Sequence, residues 1–188
     1  QKGKLNLMQK IFLTFVLLLF FTACSSEEKE MKDFNSTTEA SFTQGESYNF
    51  DLNLNDNTSL FIQVKEGKIK FDAQNKATLF VFFTTWCKPC IAQAPHLNKL
   101  REKYQDQLQI IGILLEDKNP EDLATFSAQN HLNYQIASGE GNYLFAKALG
   151  GINGIPTMFL FAKNGELLKH YLGVVPVEML EIDILEAI

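Results

Sequence analysis

The feature that most constrains the fold is an apolar run that leads directly into two closely spaced cysteines. Residues 76–83 are nearly all apolar and aromatic, which predicts a strand buried on both faces. The sequence WCKPC follows at 86–90, and residues 88–104 then carry apolar side chains at helical spacing. Cys87 is therefore predicted at the turn between a strand and a helix, with Cys90 in the first helical turn.

This placement indicates redox chemistry at Cys87. A helix N-terminus carries roughly half a positive charge and has unpaired N–H groups, and both stabilise a thiolate relative to a thiol. We therefore expect Cys87 to be acidic and nucleophilic. Two alternatives remain, namely half of a structural zinc site and a pair of inert buried thiols. The other candidate zinc ligands are widely spaced in the sequence; they are Cys24, His96, His131 and His170.

These residues resemble the thioredoxin superfamily, and within it the membrane-tethered thiol–disulfide oxidoreductases of the TlpA/ResA type. Pro95, five residues after Cys90, falls where these proteins carry a proline that kinks the active-site helix. The sequence GIPT at 154–157 resembles the segment whose proline, here Pro156, is cis and lies against the cysteine pair. The resemblance covers about residues 40–188.

The resemblance implies an α/β fold, a thioredoxin-like sandwich with a central mixed sheet flanked by helices. Alternating apolar residues between 47 and 72 predict a β-hairpin or meander that precedes this sheet and extends it. Residues 119–149 resemble the helix and strand that TlpA/ResA-type proteins insert, with 138–141 as a loop. A last helix is expected after Pro176. Its side chains predicted to face the sheet are Met179, Leu180, Ile182, Leu185 and Ile188.

The resemblance also implies a mechanism. The Cys87 thiolate attacks a disulfide of a partner protein, and Cys90 then resolves the mixed disulfide, which leaves a Cys87–Cys90 disulfide. This redox-active disulfide is the working group, and no metal or other cofactor is implied. Protein disulfides are the expected substrates, and a membrane-embedded electron donor is expected to reduce the pair again.

Five further residues are predicted to support the pair. The tryptophan is expected to pack beneath the cysteines and shield them, the lysine to place a cation beside the nucleophile, and the first proline to support the helix start. The isoleucine before the cis-proline is expected to pair with the main chain of the substrate. These residues are Trp86, Lys88, Pro89, Ile155 and Pro156.

The chain departs from the family at two positions that handle protons. Thioredoxins usually keep a buried aspartate six residues before the first active-site cysteine, and here that residue is Val81. ResA-type proteins often carry an acidic residue three positions after the second cysteine, and here that residue is Gln93. Activation of the second thiol must therefore come from the helix dipole, from water, or from a carboxylate such as Glu116 or Glu140.

Residues 1–23 predict a lipoprotein-type signal peptide. Three lysines precede an apolar run that ends at Ala23, and such a run would span only about 20 Å as a helix, less than a bilayer core. Cys24 resembles the lipidated cysteine of a bacterial lipoprotein, although Phe21 departs from the usual leucine. An uncleaved signal anchor and a simple secreted protein are the alternatives. Translation is expected to start at Met8.

The predicted organisation is therefore a signal peptide at 1–23, a lipidated cysteine with a flexible tether at 24–38, and a thioredoxin-like domain at 39–188. The expected location is the bacterial cell envelope, as a membrane lipoprotein that faces the periplasm. Loss of the three lysines in 1–23 takes the formal net charge from −5 to −8, which argues against nucleic acid as a partner.

The direction of the reaction has less support from the residues. Ile155 before the proline resembles reducing thioredoxins, and the tether resembles proteins that keep cytochrome apoprotein thiols reduced, so a reductant in cytochrome c maturation is favoured over an oxidant. Two alternatives from other classes are a copper-delivery module, which usually has wider cysteine spacing and an added histidine, and a lipid-anchored binding domain without enzyme activity.

Overall fold

The computed structural model of the protein describes residues 47–188. The strands in this part are β1 (Tyr48–Leu54), β2 (Ser59–Lys65), β3 (Lys68–Phe71), β4 (Ala77–Phe83), β5 (Leu108–Leu114), β6 (Gln135–Ser138), β7 (Thr157–Phe161) and β8 (Leu167–Leu172). The helices are α1 (Lys88–Lys103), α2 (Pro120–Gln129), α3 (Glu140–Ala148) and α4 (Val177–Ala187). The predicted signal peptide at 1–23, Cys24 and the tether at 24–38 lie outside the described residues. No helix within 47–188 is both long and apolar enough to cross a membrane.

The strands form a mixed sheet in the order β3-β2-β1-β6-β5-β4-β7-β8. Strand β4 is parallel to β5, and β5 is parallel to β6, whereas the other neighbouring pairs are antiparallel. Parallel neighbours need a crossover, and α1 and α2 supply the helices of these two crossovers. The predicted α/β thioredoxin-like fold is confirmed.

Helices cover both faces of β4, and every residue of this strand is therefore buried. On one face, Val81 packs with Leu97 of α1 and Leu180 of α4. On the other, Phe80 packs against Phe145 of α3, with ring centroids 4.7 Å apart. We call this second side the phenylalanine face. Its buried aromatic residues are Phe50, Phe80, Phe82, Phe145, Phe159 and Phe161.

The N-terminal strands β1–β3 extend the sheet, as predicted. Strand β1 joins β6 in antiparallel register through two residue pairs. Phe71 of β3 packs edge-on against Phe80 and Phe161, at 5.2 and 5.3 Å, so the sheet curls toward itself. In the described part of the chain, β3 and β8 are the outer strands, and β3 carries the exposed side chains of Lys68 and Lys70.

The loop predicted at 138–141 is wrong. Ser138 ends β6, Gly139 is the N-cap of α3, and the helix has begun by Glu140. A Cβ at Gly141 would lie 2.1 Å from the carbonyl oxygen of Asp51, so α3 approaches β1 more closely than any side chain allows. The glycines that suggest a flexible loop instead permit a tight helix–strand contact.

Helix α4 buries a different stripe from the predicted one. Its buried residues are Leu180, Ile184 and Ala187. Met179, Ile182 and Leu185 are each more than half exposed, and Ile188 is half-buried. Because almost every position of this helix is apolar or acidic, hydrophobicity alone does not select the buried face, and packing against α1 and β7 selects it instead.

Candidate active site

Cys87 and Cys90 lie where the chain passes from β4 into α1. Cys87 is the N-cap of α1, with φ −79° and ψ 96°, and Pro89 stands in the first turn, where a missing N–H costs no helical hydrogen bond. The Cys90 backbone N–H donates to the Cys87 Sγ at 3.2 Å. The two sulfurs are bonded to each other, and the Cα atoms lie 5.3 Å apart. The predicted position of the pair at a strand-to-helix turn is confirmed.

The charge distribution around the N-terminus of α1 favours an anion at Cys87. The first turn of the helix contains no acidic residue. Lys88, directly after the cap, is exposed and adds a positive charge. The partial positive charge of the helix terminus acts in the same direction. When the disulfide is reduced, the charge of Lys88 and the partial charge of the helix terminus both stabilise the Cys87 thiolate.

The disulfide is embedded in apolar side chains. Cys87 is 3% exposed and Cys90 is 7% exposed, so only a small edge of the pair meets solvent. Phe83 at the end of β4 and Leu114 at the end of β5 are buried in the same cluster, and Phe126 of α2 packs against it. A charge on either sulfur is poorly solvated here, which opposes the effect of the helix terminus.

The cis-proline segment lies against this cluster. The Ile155–Pro156 peptide bond is cis, as the resemblance implies, and Ile155 packs on the cluster that contains the disulfide. The Pro156 carbonyl accepts a hydrogen bond from the Gly173 N–H at 2.8 Å, and the Thr157 hydroxyl donates to the Gly154 carbonyl at 2.6 Å. The cysteine pair and the cis-proline segment, which are far apart in the chain, therefore meet at one end of the sheet.

Neither of the two departures from the family pattern places a carboxylate near the pair. Val81 is 2% exposed within an apolar cluster. Gln93 is fully buried, and its side-chain amide is hydrogen-bonded to the backbone of Val175: Nε2 donates to the carbonyl at 3.0 Å, and Oε1 accepts from the N–H at 2.8 Å. In the sequence, Gln93 stands out only because it replaces an acidic residue, and no sequence pattern indicates its contact with Val175.

The structure places one of the two suggested carboxylates beside the active-site loop. Oε1 of Glu116 accepts a hydrogen bond from the backbone N–H of Thr85 at 2.8 Å, two residues before Cys87. Burial, and then the negative charges of Asp117 and Glu116, raise the pKa of Tyr143 on α3. Glu140 is exposed in the first turn of α3, where its charge faces the positive end of that helix.

Trp86 does not pack beneath the pair, so that prediction is wrong. Its side chain is 72% exposed, because Phe83, Leu114 and Phe126 already fill the space under the sulfurs. Two more apolar side chains are exposed near the cis-proline segment: Leu172, the last residue of β8, at 67%, and Val174, two residues further along, at 48%. We call these three exposed residues, Trp86, Leu172 and Val174, the apolar rim.

Leu172 and Val174 belong to the site through the cis-proline segment. The Leu172 Cδ1 lies 3.1 Å from the point where a Cβ on Gly154 would stand. Val174 lies between two hydrogen-bonded residues: the Gly173 N–H donates to the Pro156 carbonyl, and the Val175 carbonyl accepts from the Gln93 amide. Only an indirect signal in the sequence points to these residues, namely Gly173, which follows the last strand and precedes Pro176.

Within residues 47–188, no three histidine, cysteine, aspartate or glutamate side chains are grouped so that they can hold a metal ion. The site itself consists of a cysteine pair, a helix N-terminus, a cis-proline segment and the apolar rim. Such groups can form, hold and break bonds between sulfurs.

Comparisons with known proteins agree with this geometry. The Redoxin family profile matches residues 56–188. Thiol-disulfide oxidoreductase ResA of Bacillus thuringiensis (strain Al Hakam) is 31% identical over 113 residues, which are 58% of this chain and 62% of the relative. Thioredoxin-like protein YneN of Bacillus subtilis (strain 168) is 24% identical over 112 residues, or 58% and 64% of the two chains. The matched part is less than two thirds of either relative.

Solved structures share the fold. A candidate thiol:disulfide interchange protein DsbE from Chlorobium tepidum superposes with a TM-score of 0.58 and 25% identity, covering 78% of this chain and 99% of that one. StoA from Bacillus subtilis superposes with a TM-score of 0.54 and 23% identity, covering 72% and 95%. Because the matched region includes the cysteine pair and the cis-proline segment, these findings show that the chain belongs to the Redoxin family, with a thioredoxin-like fold and a similarity to relatives of the ResA type.

Proposed function

We propose that the protein is a thiol–disulfide oxidoreductase that acts on other proteins through Cys87 and Cys90. The observation that carries the proposal is the bonded cysteine pair with the Cys87 Sγ at the N-terminus of α1. The adjacent cis-proline segment and the relatives named as thiol-disulfide oxidoreductases support the same chemistry.

In the reducing direction, the Cys87 thiolate attacks one sulfur of a partner disulfide. A bond forms between the Cys87 sulfur and that sulfur, and the other partner sulfur leaves as a thiolate that takes up a proton. Cys90, after losing its proton to water or a nearby base, attacks the Cys87 Sγ and displaces the remaining partner sulfur, which is protonated in turn. Two electrons have then passed to the partner, and the Cys87–Cys90 disulfide is left.

The surroundings of the pair support a polypeptide as substrate. The apolar rim offers three exposed apolar side chains at the edge of the site, a composition suited to protein contact. Pro156 has no N–H, so the backbone of Ile155 is left to pair with an extended substrate segment, in the manner of an added β-strand. Protein disulfides are therefore the proposed substrate class.

We propose that the pair acts as a reductant. The apolar cluster around the sulfurs disfavours the charged thiolate and so opposes the helix terminus, which by itself would stabilise the reduced pair and make it oxidising. Ile155 before the proline resembles reducing thioredoxins. The tether at 24–38 resembles proteins that keep cytochrome apoprotein thiols reduced, so the proposed targets include disulfides of cytochrome apoproteins in cytochrome c maturation, with a membrane-embedded donor that supplies electrons.

The proposed location is the outer side of a bacterial membrane, facing the periplasm, with a lipid on Cys24 as the anchor. The support is the lysine-bearing apolar segment at 1–23 and the cysteine that follows it. Several acyl chains at one cysteine give stable attachment, and the polar segment at 24–38 would hold the domain away from the lipid surface.

The test is reduction of insulin disulfides by the full chain with dithiothreitol as the electron source. We expect Cys87→Ser to abolish the acceleration. Cys90→Ser that has been reduced and then freed of dithiothreitol should accumulate a mixed disulfide with insulin that mass spectrometry detects. Cys24→Ser is the matched control, because it removes the third cysteine and should leave the rate unchanged. Wild-type activity in Cys87→Ser would contradict the mechanism.

The reduction potential of the pair tests the direction. A reductant should have a potential nearer that of thioredoxin, about −270 mV, than that of the strong oxidant DsbA, about −120 mV. Equilibration with glutathione or dithiothreitol buffers measures it. Trp86 is the sole tryptophan of the sequence, so its fluorescence can follow the equilibrium. A value near the oxidant would reverse the proposed direction and leave the exchange chemistry in place.

A further inference from the structure

Gln93 makes an unusual contact for a residue on an active-site helix. It lies one helical turn after Cys90, on the same face of α1, and it is fully buried. Its amide engages both backbone polar groups of Val175, which is 82 residues away in the chain. The glutamine side chain therefore satisfies the Val175 N–H and carbonyl, as the backbone of a neighbouring strand would in a sheet. We call this pair of hydrogen bonds the Gln93–Val175 clamp.

The segment held by the clamp also contacts the cis-proline. The residues between β8 and α4 are 173–176, and Val175 is 7% exposed within them. At its other end, the Gly173 N–H donates to the Pro156 carbonyl at 2.8 Å. Gly173 has φ 86°, a left-handed conformation that favours glycine and turns the chain out of β8. The segment is therefore fixed at both ends, once to the cis-proline and once to the helix that carries the cysteines.

The positions of two residues of the apolar rim, Leu172 and Val174, are determined by these hydrogen bonds at Gly173 and Val175. Val174 lies between the bonded residues Gly173 and Val175, and Leu172 directly precedes them. Both side chains are exposed although their backbone neighbours are tied into the structure. The clamp thus fixes where Leu172 and Val174 lie relative to the sulfurs, because α1 carries both Gln93 and Cys90.

We propose that Gln93 is a positioning residue for the reaction: it holds the segment 173–176 so that Leu172 and Val174 meet a protein substrate beside the cis-proline. This inference rests on the proposed function. It requires no proton transfer by Gln93, whose amide neither gains nor loses a proton during exchange. What the residue provides is a donor and an acceptor in one neutral side chain, matched to one carbonyl and one N–H.

The chemistry of other side chains explains why an amide is needed. A carboxylate at this position can accept from the Val175 N–H but cannot donate to its carbonyl. Methionine has a similar length and shape but makes neither hydrogen bond. Either change leaves a buried backbone group of Val175 without its partner, which is costly in an apolar surrounding, so the segment is expected to shift away from the helix.

The first experiment compares Gln93→Met with a matched control, Gln109→Met, in the full chain. Gln109 donates from Nε2 to the Thr78 hydroxyl at 2.7 Å, at the end of β4 far from Cys87. Each variant is tested for reduction of insulin and for reaction with a small aromatic disulfide, which reaches Cys87 without needing the rim.

Because Gln93→Met removes both buried hydrogen bonds that hold the segment 173–176 against α1, we expect it to raise KM for insulin about tenfold. The ratio of the insulin rate to the small-disulfide rate should fall by a similar factor. Gln109→Met should leave that ratio at the wild-type value. If Gln93→Met keeps the wild-type KM, or lowers both rates in proportion, the positioning role is wrong.

A second variant guards against a folding defect in Gln93→Met. Val174→Ser changes an exposed side chain of the held segment, so the domain should keep its thermal unfolding temperature. We expect KM for insulin to rise about threefold, as for loss of a modest apolar contact. An unchanged KM in Val174→Ser would overturn the inference, because the clamp would then present nothing that the substrate touches.

Hydrogen exchange separates failure of this inference from failure of the proposed function. The Val175 amide donates to Gln93, so it should exchange slowly in the wild type and faster in Gln93→Met, while amides of β4 stay protected in both. If wild type does not reduce insulin, the proposed function fails whatever Val175 shows. If insulin is reduced but the Val175 amide exchanges equally in both proteins, the clamp itself is wrong.

Discussion

The phenylalanine face and the disulfide end of the same sheet are held together by different kinds of contact. Under α3, ring packs on ring, as between Phe80 and Phe145 at 4.7 Å. Around the cysteines, side chains hold backbone groups: Glu116 binds the Thr85 N–H, and Gln93 binds both polar groups of Val175. The first region depends on buried area and the second on a few directional bonds.

The difference shows how one small domain combines stability with a positioned site. Burial of aromatic area is not directional, so many arrangements of similar volume stabilise a fold equally well. Hydrogen bonds to backbone fix distances between segments, and a loop can then carry a reactive group at a defined place. We therefore expect substitutions in the two regions to separate into stability effects and activity effects.

The largest expected effect on stability is at Phe145. Its ring is fully buried on the phenylalanine face, so Phe145→Ala should lower the free energy of unfolding by about 3–5 kcal/mol. Below the unfolding temperature, the insulin reduction rate per folded molecule should stay near that of the wild type. Denaturant unfolding and the insulin assay measure the two quantities.

A control for Phe145 lies on β2. Phe61 is 53% exposed, and Phe61→Ala should change the unfolding free energy by less than about 0.5 kcal/mol. If Phe145→Ala lowers the exchange rate of folded protein as strongly as it lowers stability, the two regions are not separable, and the comparison fails.

A smaller effect, on activity, is expected at Glu116. Glu116→Ala removes the acceptor for the Thr85 N–H, and a hydrogen bond to a charged group contributes about 1.5–3 kcal/mol, so the loop before Cys87 should loosen and the exchange rate should fall. Glu116→Gln keeps an acceptor oxygen and should recover most of the rate. Asp117→Ala, at the exposed neighbouring residue, is the control. Equal rates in the alanine and glutamine variants would contradict this role.

The smallest expected effect concerns an exposed contact between α1 and α4. Hydrogen bonds from Lys103 and then from Tyr104 lower the pKa of Glu181. A lowered carboxyl pKa means that the contribution to stability is present above the unfolded pKa, near 4.5, and is lost as the pH falls through the folded value.

Glu181→Gln should therefore lower the unfolding temperature at neutral pH by about 1–3 °C, a limit set by solvent and salt screening. The difference from wild type should shrink as the pH falls through the lowered pKa of Glu181, because protonation removes the charge that distinguishes glutamate from glutamine. Thermal unfolding at several pH values measures it, and Glu102→Gln, an exposed carboxylate beside Lys103, is the control. A difference that grows at low pH would give the opposite sign and refute the argument.

Much of the fold could be predicted because its patterns are local. The apolar run at 76–83, the alternation between 47 and 72 and the proline at the start of α2 each fixed an element to within a few residues. The cysteine pair and Pro156 were likewise found from short motifs. Where the glycines at 139 and 141 suggested a loop, the pattern misled, because a glycine also serves a close backbone approach.

The parts of the site that could not be predicted depend on contacts between distant residues. Gln93 and Val175 carry no shared sequence pattern, and a buried amide is not distinguished from an exposed one by its neighbours in the chain. The exposure of Trp86 follows from the residues that fill the space under the sulfurs, which only the packed structure reveals. The exposed stripe of α4 has the same origin.

The position of the outer strands has a consequence for which polypeptides can associate with this domain. Strand β3 is four residues long and bears Lys68 and Lys70, and Lys169 of β8 is paired with Asp183 and Glu186. Charged side chains on both outer strands, together with the short length of β3, resist the addition of a foreign strand at the sheet edge and so oppose aggregation. For the proposed function, the backbone of Ile155 beside the sulfurs is therefore the place where an extended protein substrate is expected to align its main chain.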